Sequence, residues 1–208
     1  MLSRFFRLFV PRALGCVAVF AATCLLHGQT INVDINSGTA NNYSGVGIVP
    51  GDAGTTWNAI GLTGTQVSLS LPAGGVKDSL GATLAGVSLT LANNDGVNGM
   101  KRFSTTSGSV PNPTALMQDY AYGATFNVTF SGLLPGSYGL WFFGHGDVNS
   151  QTGTVTVNAA NGGGTGATAN SALGRDLING GPGVSYVHFN NLTVGNDATF
   201  RFQASNYF

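Results

Sequence analysis

The chain has 208 residues, of which eight are Lys or Arg and eight are Asp, with no Glu at all. A charged fraction of 8% lies far below the roughly 25% of ordinary globular domains, which excludes a coiled coil built from Ala, Glu, Lys and Leu. It also excludes a nucleic-acid binder, which needs a surplus of cations, while an apolar fraction of 43% speaks against charge-driven disorder.

At the N-terminus, Arg4, Arg7 and Arg12 precede an almost unbroken apolar run from Ala13 to Leu26, and a polar break follows at His27-Gly28-Gln29. A basic head, a short apolar middle and a small-residue exit form the pattern of a secretory signal peptide. The middle falls short of the ~20 residues that a spanning helix requires. Residues 1–29 are therefore expected to be a cleaved leader, the competing reading being an uncleaved anchor. Residues 30–208 are expected to form one exported domain with no membrane span. Cys16 and Cys24 leave with the leader, so no disulfide and no thiolate-held metal is expected in the mature chain. Its cations, Lys77, Lys101, Arg102, Arg175 and Arg201, stand against eight Asp, a net charge of −3.

From residue 30 onward, period-two alternation dominates. Ile31, Val33 and Ile35 alternate with Asn32 and Asp34. The same rhythm runs through Val67, Leu69 and Leu71, then Val87, Leu89 and Leu91, then Phe126, Val128 and Phe130. It returns at Val155 and Val157, at Val184, Tyr186 and His188, and at Phe200 and Phe202. Alternate side chains of a strand share a face, so each segment predicts an apolar inner face and a Thr, Ser or Asn outer face, as in half-solvated antiparallel sheets. Turn chemistry separates the segments, for example Pro135-Gly136 and Asn161-Gly162-Gly163-Gly164. The spacing predicts an all-β fold, an antiparallel β-sandwich or barrel. One short helical stretch is expected at Thr114 to Tyr122. Ser104 to Pro113 and Ala159 to Ser171 read as long loops. Phe130-x-x-Leu133-x-x-Gly136 and Phe189-x-x-Leu192-x-x-Gly195 read as two similar corners, each plugged by a Leu.

Leu133-x-Pro135-Gly136-x-Tyr138-x-Leu140 resembles the tyrosine corner of secreted sandwiches, in which the Tyr ties its hydroxyl to nearby backbone; prealbumin-like modules share it. A longer series adds Ile31-Asn-Val-Asp34, Tyr43-Ser-Gly, Trp57-Asn, Asp78-Ser-Leu-Gly81, Leu116-Met-Gln-Asp119-Tyr, Gly144-His145-Gly146-Asp147 and Val184-Ser-Tyr-Val-His-Phe189. In this order the series resembles exported bacterial PEP-CTERM-associated proteins with a galactose-binding-like, jelly-roll sandwich. The resemblance implies a secreted, extracellular or cell-surface protein, mostly of unassigned activity. The sorting tail itself is not among these residues, which end at Asn206-Tyr207-Phe208; a C-terminal truncation and a tail-less member are the two readings.

Little in the sequence points to catalysis. Glycosidases usually tune a Glu as the acid, and only Asp is present. Neither a Gly-x-Ser-x-Gly elbow nor a His-Glu-x-x-His helix occurs. Asn93-Asn94-Asp95-Gly96-Val97-Asn98-Gly99 is oxygen-rich, but it lacks the Glu that closes an EF-hand loop. It reads better as an Asn-Gly turn, and no metal ligand is assigned. Tyr138, Leu140 and Phe142 share one face of a strand, and Gly139, Trp141 and Phe143 the other. An aromatic on a second apolar face suits stacking against the CH face of a pyranose. Trp141 is therefore the leading ligand-binding candidate, with His145 and Asp147 as polar contacts. The competing reading covers Trp141 with Ala159 to Ser171. His188 is expected to be a hydrogen-bonded core or boundary residue. The expected function is thus non-enzymatic: no catalytic residues, no cofactor, and a weak carbohydrate or matrix contact. Two alternatives are a purely structural, self-associating matrix module and a polysaccharide-acting enzyme using Asp119 and Asp147.

Overall fold

A computed structural model describes residues 30–36, 42–49, 51–62, 66–93, 101–104, 119–144, 152–169 and 181–207, with backbone alone for 101–104, 119–124 and 206–207. Those residues form eleven strands: β1 (Asn32–Asn36), β2 (Trp57–Gly61), β3 (Ser68–Leu71), β4 (Ser88–Asn93), β5 (Lys101–Ser104), β6 (Asp119–Ser131), β7 (Gly136–Phe142), β8 (Gly153–Val157), β9 (Thr165–Ala167), β10 (Val187–Val194) and β11 (Thr199–Tyr207). The helical content among them is one three-residue 3-10 turn, Ala159–Asn161. No helix of the described residues is long and apolar enough to cross a membrane. The fold is all-β and mostly antiparallel. Residues 1–29, the expected leader, lie outside the described residues.

Seven strands form one antiparallel sheet in the order β3-β4-β6-β11-β8-β9, with β5 also pairing β6. The 13-residue β6 reaches two partners: Phe126 to Ser131 pair with β4, and Asp119 to Tyr122 pair with β5. The helix expected over Thr114 to Tyr122 is thus corrected over 119–122, which are strand; 114–118 lie outside the described residues. Tyr120 and Tyr122 are good strand formers, and the β5 and β11 ladders satisfy the backbone of that stretch better than an isolated helical turn could.

Two smaller sheets complete the described part: an antiparallel ribbon of β7 and β10 and a parallel pair, β1 with β2. The alternating residues of the large sheet supply the centre of the core, with Leu89, Leu91, Phe126 and Val155 fully buried. Phe142, Val187, Leu192 and Val194 of the ribbon join the same cluster.

β1 departs from the expected apolar-in, polar-out alternation. Ile31, Val33 and Ile35 do pack on the core, but Asn32, Asp34 and Asn36 on the other face are 7%, 2% and 0% exposed. Buried polar groups must find partners, and here the 42–58 region supplies them. Asn36 Nδ2 donates to Asp34 Oδ2 and to Asn42 Oδ1, and the Tyr43 amide also donates to Asp34 Oδ2. Asn32 Nδ2 donates to Asp52 Oδ2, and Asn58 Nδ2 donates to the carbonyls of Asn32 and Lys77. Burial works against the Asp52 carboxylate, but donors from Asn32, Gly54 and Ser79 outweigh it and hold its pKa below the usual carboxylate value.

The tyrosine corner forms as expected. Tyr138 Oη donates to the Leu134 carbonyl over 2.7 Å, and Leu133 plugs the corner at 4% exposure. Gly132 turns the chain at φ +78°, where a Cβ would lie 1.9 Å from the Gly86 carbonyl oxygen. The second Phe-x-x-Leu-x-x-Gly echo is not a corner. It runs within β10, where a register shift between Phe189 and Leu192 and Asn191 at φ 58° mark a β-bulge.

Ala159 to Ser171 is also more ordered than a loop over its described part, 159–169. Asn161, 4% exposed, donates through Nδ2 to the carbonyls of Thr193 and Thr199 and accepts from the Arg201 amide. Its single side chain fastens the 3-10 turn to β10 and β11, and β9 then pairs with β8.

Candidate functional site

The site is built on the β7–β10 ribbon. Tyr138, Leu140 and Phe142 turn toward the core together with Val187 and Phe189. Period two then sends Gly139, Trp141 and Phe143 of one strand, and Tyr186 and His188 of the other, to the opposite face. The ladder places Trp141 directly across from His188. Their rings stack at a centroid separation of 4.0 Å and an interplanar angle of 18°. One step along the ribbon, Phe143 and Tyr186 meet at 5.4 Å and 53°. All four are half-buried, so two consecutive cross-strand aromatic pairs line the face turned away from the core.

Gly139 shapes this platform. A Cβ there would lie 2.7 Å from Trp141 Cζ3 and 2.9 Å from Cη2, so the indole leans back along its own strand over the glycine. His188 takes one face of the indole. His188 departs from the sequence expectation. It occupies the outward face, and its Nε2 is buried with no hydrogen-bond partner among the described residues. Desolvation by burial pushes its pKa below the usual 6.5, so the imidazole stays neutral at neutral pH and stacks as an uncharged ring.

The contacts that Gly164 and Gly166 of the 159–167 stretch make are with the inner-face residues Phe189 and Val187 and not with Trp141. That stretch packs on the inner face of the ribbon: a Cβ on Gly164 would touch Phe189, and one on Gly166 would lie 2.4 Å from Val187 Cγ1. His145 and Asp147 lie outside the described residues. The ends of the chain around them are fixed, however. The Gly144 carbonyl accepts from the Gly153 amide and from the Thr168 hydroxyl, and Thr168 is 3% exposed. Of the Asp119 and Asp147 pair, only the backbone of Asp119 is described, at the start of β6. Trp57 is structural: its Nε1 donates to the Gly45 carbonyl over 3.0 Å and its ring meets Tyr43 edge-on. Among the described residues no three His, Cys, Asp or Glu gather as a metal site would require.

The sequence singled out Trp141 but not its companions. Tyr186 and His188 are on one face by alternation alone, yet that face looked like the core-facing one, because Val184 shares it. The pairing of Val187 with Phe142 reverses the assignment. A comparison with protein-family models, with curated proteins and with solved structures finds no match in any of the three.

Proposed function

We propose that the chain is a non-enzymatic, exported, single-domain β-sandwich of galactose-binding-like type, working at the cell surface or in extracellular matrix and contacting carbohydrate weakly through Trp141. The leader-like residues 1–29 and the resemblance of the longer motif series support the exported setting. The observation that carries the sugar contact is the Trp141–His188 stack on the outward face of the ribbon. A large indole on a face that the core does not use is held between the His188 ring and the backbone of Gly139. The Phe143–Tyr186 pair extends the same apolar strip. A neutral imidazole behind the indole adds no charge, which suits the CH face of an uncharged sugar unit. His145 and Asp147 follow Phe143-Gly144 directly in the chain and would supply hydrogen bonds to hydroxyls. The weak affinity follows from the small size of the strip, since stacking of this kind contributes about 1 kcal/mol per ring pair.

The test is a glycan array probed with the wild-type protein and with Trp141→Ala. Binding by the wild type that disappears in the variant supports the reading. A blank array for the wild type, or binding indifferent to Trp141, overturns it. Turnover of a polysaccharide that vanishes in Asp119→Asn or Asp147→Asn would overturn the non-enzymatic part.

A further inference from the structure

Among the described residues the large sheet ends at β3, and the geometry of that edge points to a second copy of this chain as its partner. The Asn93 amide donates to the Val67 carbonyl, and Ser68 stands opposite Ala92, with Ser70 opposite Thr90. In an antiparallel ladder, hydrogen-bonded and non-hydrogen-bonded pairs alternate. Val67, Leu69 and Leu71 therefore turn their backbone groups toward β4, and Ser68 and Ser70 turn theirs away from it. No described strand pairs with that side. Ser68 and Ser70 are exposed, and Val67 is 54% exposed.

Natural edges are usually guarded by charge, proline or a bulge. This one carries neither charge nor proline between Gln66 and Leu71; Pro72 follows only after the strand has ended. Its residues alternate Ser and Leu, so the strand is its own antiparallel complement. We infer that β3 of one copy pairs antiparallel with β3 of a second copy across a twofold axis, Ser68 opposite Ser70 of the second copy and Leu69 opposite Leu69. Ser68 and Ser70 then exchange four backbone hydrogen bonds between the copies, and the two large sheets become continuous. The twofold closes the interface on itself, so dimers form and not filaments. The low charge of the whole chain offers little long-range repulsion to oppose the approach. This inference goes beyond the sugar reading and does not depend on it, because the ribbon face and the β3 edge share no residue.

The test is sedimentation velocity of the 208-residue chain over a wide concentration series. A monomer–dimer equilibrium is expected, weakened by at least about tenfold in the double variant Ser68→Lys/Ser70→Lys, which sets Lys opposite Lys in the new ladder. Both positions are exposed, and an unchanged far-ultraviolet dichroism spectrum checks the fold. Ser70→Pro, which removes an outward-facing N–H, is expected to weaken the dimer in the same way. Register is read by disulfide trapping in a background with Cys16 and Cys24 changed to Ser: a mixture of Ser68→Cys and Ser70→Cys chains should cross-link faster than either alone. A monomer at every concentration, a dimer indifferent to these substitutions, open-ended polymers, or equal trapping in all three samples would overturn the inference.

Discussion

Gly139→Ala isolates the device that holds the aromatic platform. The added Cβ would sit 2.7 Å from Trp141 Cζ3, where carbon atoms prefer roughly 3.5–4.0 Å. Relief therefore requires the indole to move by about 1 Å. Residue 139 lies opposite the β10 bulge, with its neighbours Tyr138 and Leu140 both paired to β10, whereas the indole can swing at χ1 and χ2, so the ring is what gives way. Swinging it breaks a face-to-face contact with His188 of 4.0 Å, which is worth about 0.5–1.5 kcal/mol. Against that loss, replacing a strand-interior Gly by Ala recovers about 0.5–1 kcal/mol of backbone entropy. The two terms nearly cancel, so urea unfolding should show a change within about 1 kcal/mol. The readout that separates the terms is spectroscopic. The Trp141 indole N–H resonance should shift in Gly139→Ala while that of Trp57 stays put. The His188 pKa should rise toward 6.5 as the imidazole regains water. An unmoved Trp141 resonance with an unmoved His188 titration would refute the claim that Gly139 makes room for the stack.

Acid should weaken the fold in two windows. His188 has a depressed pKa in the folded state, so the unfolded chain binds the proton more readily, and stability present above pH 6.5 is lost as pH falls through the folded value. Asp52 is likewise depressed, so its contribution is present above the usual 3.8 and disappears as pH falls through its own folded value. His188→Phe should abolish the first window in a pH series of chemical denaturation. It should also be neutral or stabilising at pH 7, because it keeps the stack and removes an orphaned buried nitrogen that costs about 1–3 kcal/mol. Asn161→Ala should destabilise by about 1–3 kcal/mol, since it removes three part-buried hydrogen bonds at once, to the Arg201 amide and to the Thr193 and Thr199 carbonyls; a loss below about 0.5 kcal/mol in thermal or urea melts would show that the turn does not depend on this side chain.

What could be read from the residues was whatever depends on local period and local turn chemistry. The all-β character, the strands around Leu89, Phe126, Val155 and Phe200, and the Tyr138 corner all follow from alternation and from Pro135-Gly136, because a strand's two faces are set by its own backbone. The identity of Trp141 as a residue on a second apolar face of β7 followed in the same way. Register and layer assignment did not. Tyr186 and His188 looked inward until Val187 was found opposite Phe142, since a pairing shift of one residue exchanges every side chain between faces. The buried Asn32, Asp34 and Asn36 looked like a solvated face until the 42–58 region closed over them and supplied donors and acceptors. Asn161 looked like one more loop residue until strands from distant parts of the chain brought three backbone groups to its amide. Local sequence determines which way a side chain alternates; only the assembled sheets decide what lies on each side, because that depends on partners tens of residues away whose arrival no local pattern encodes.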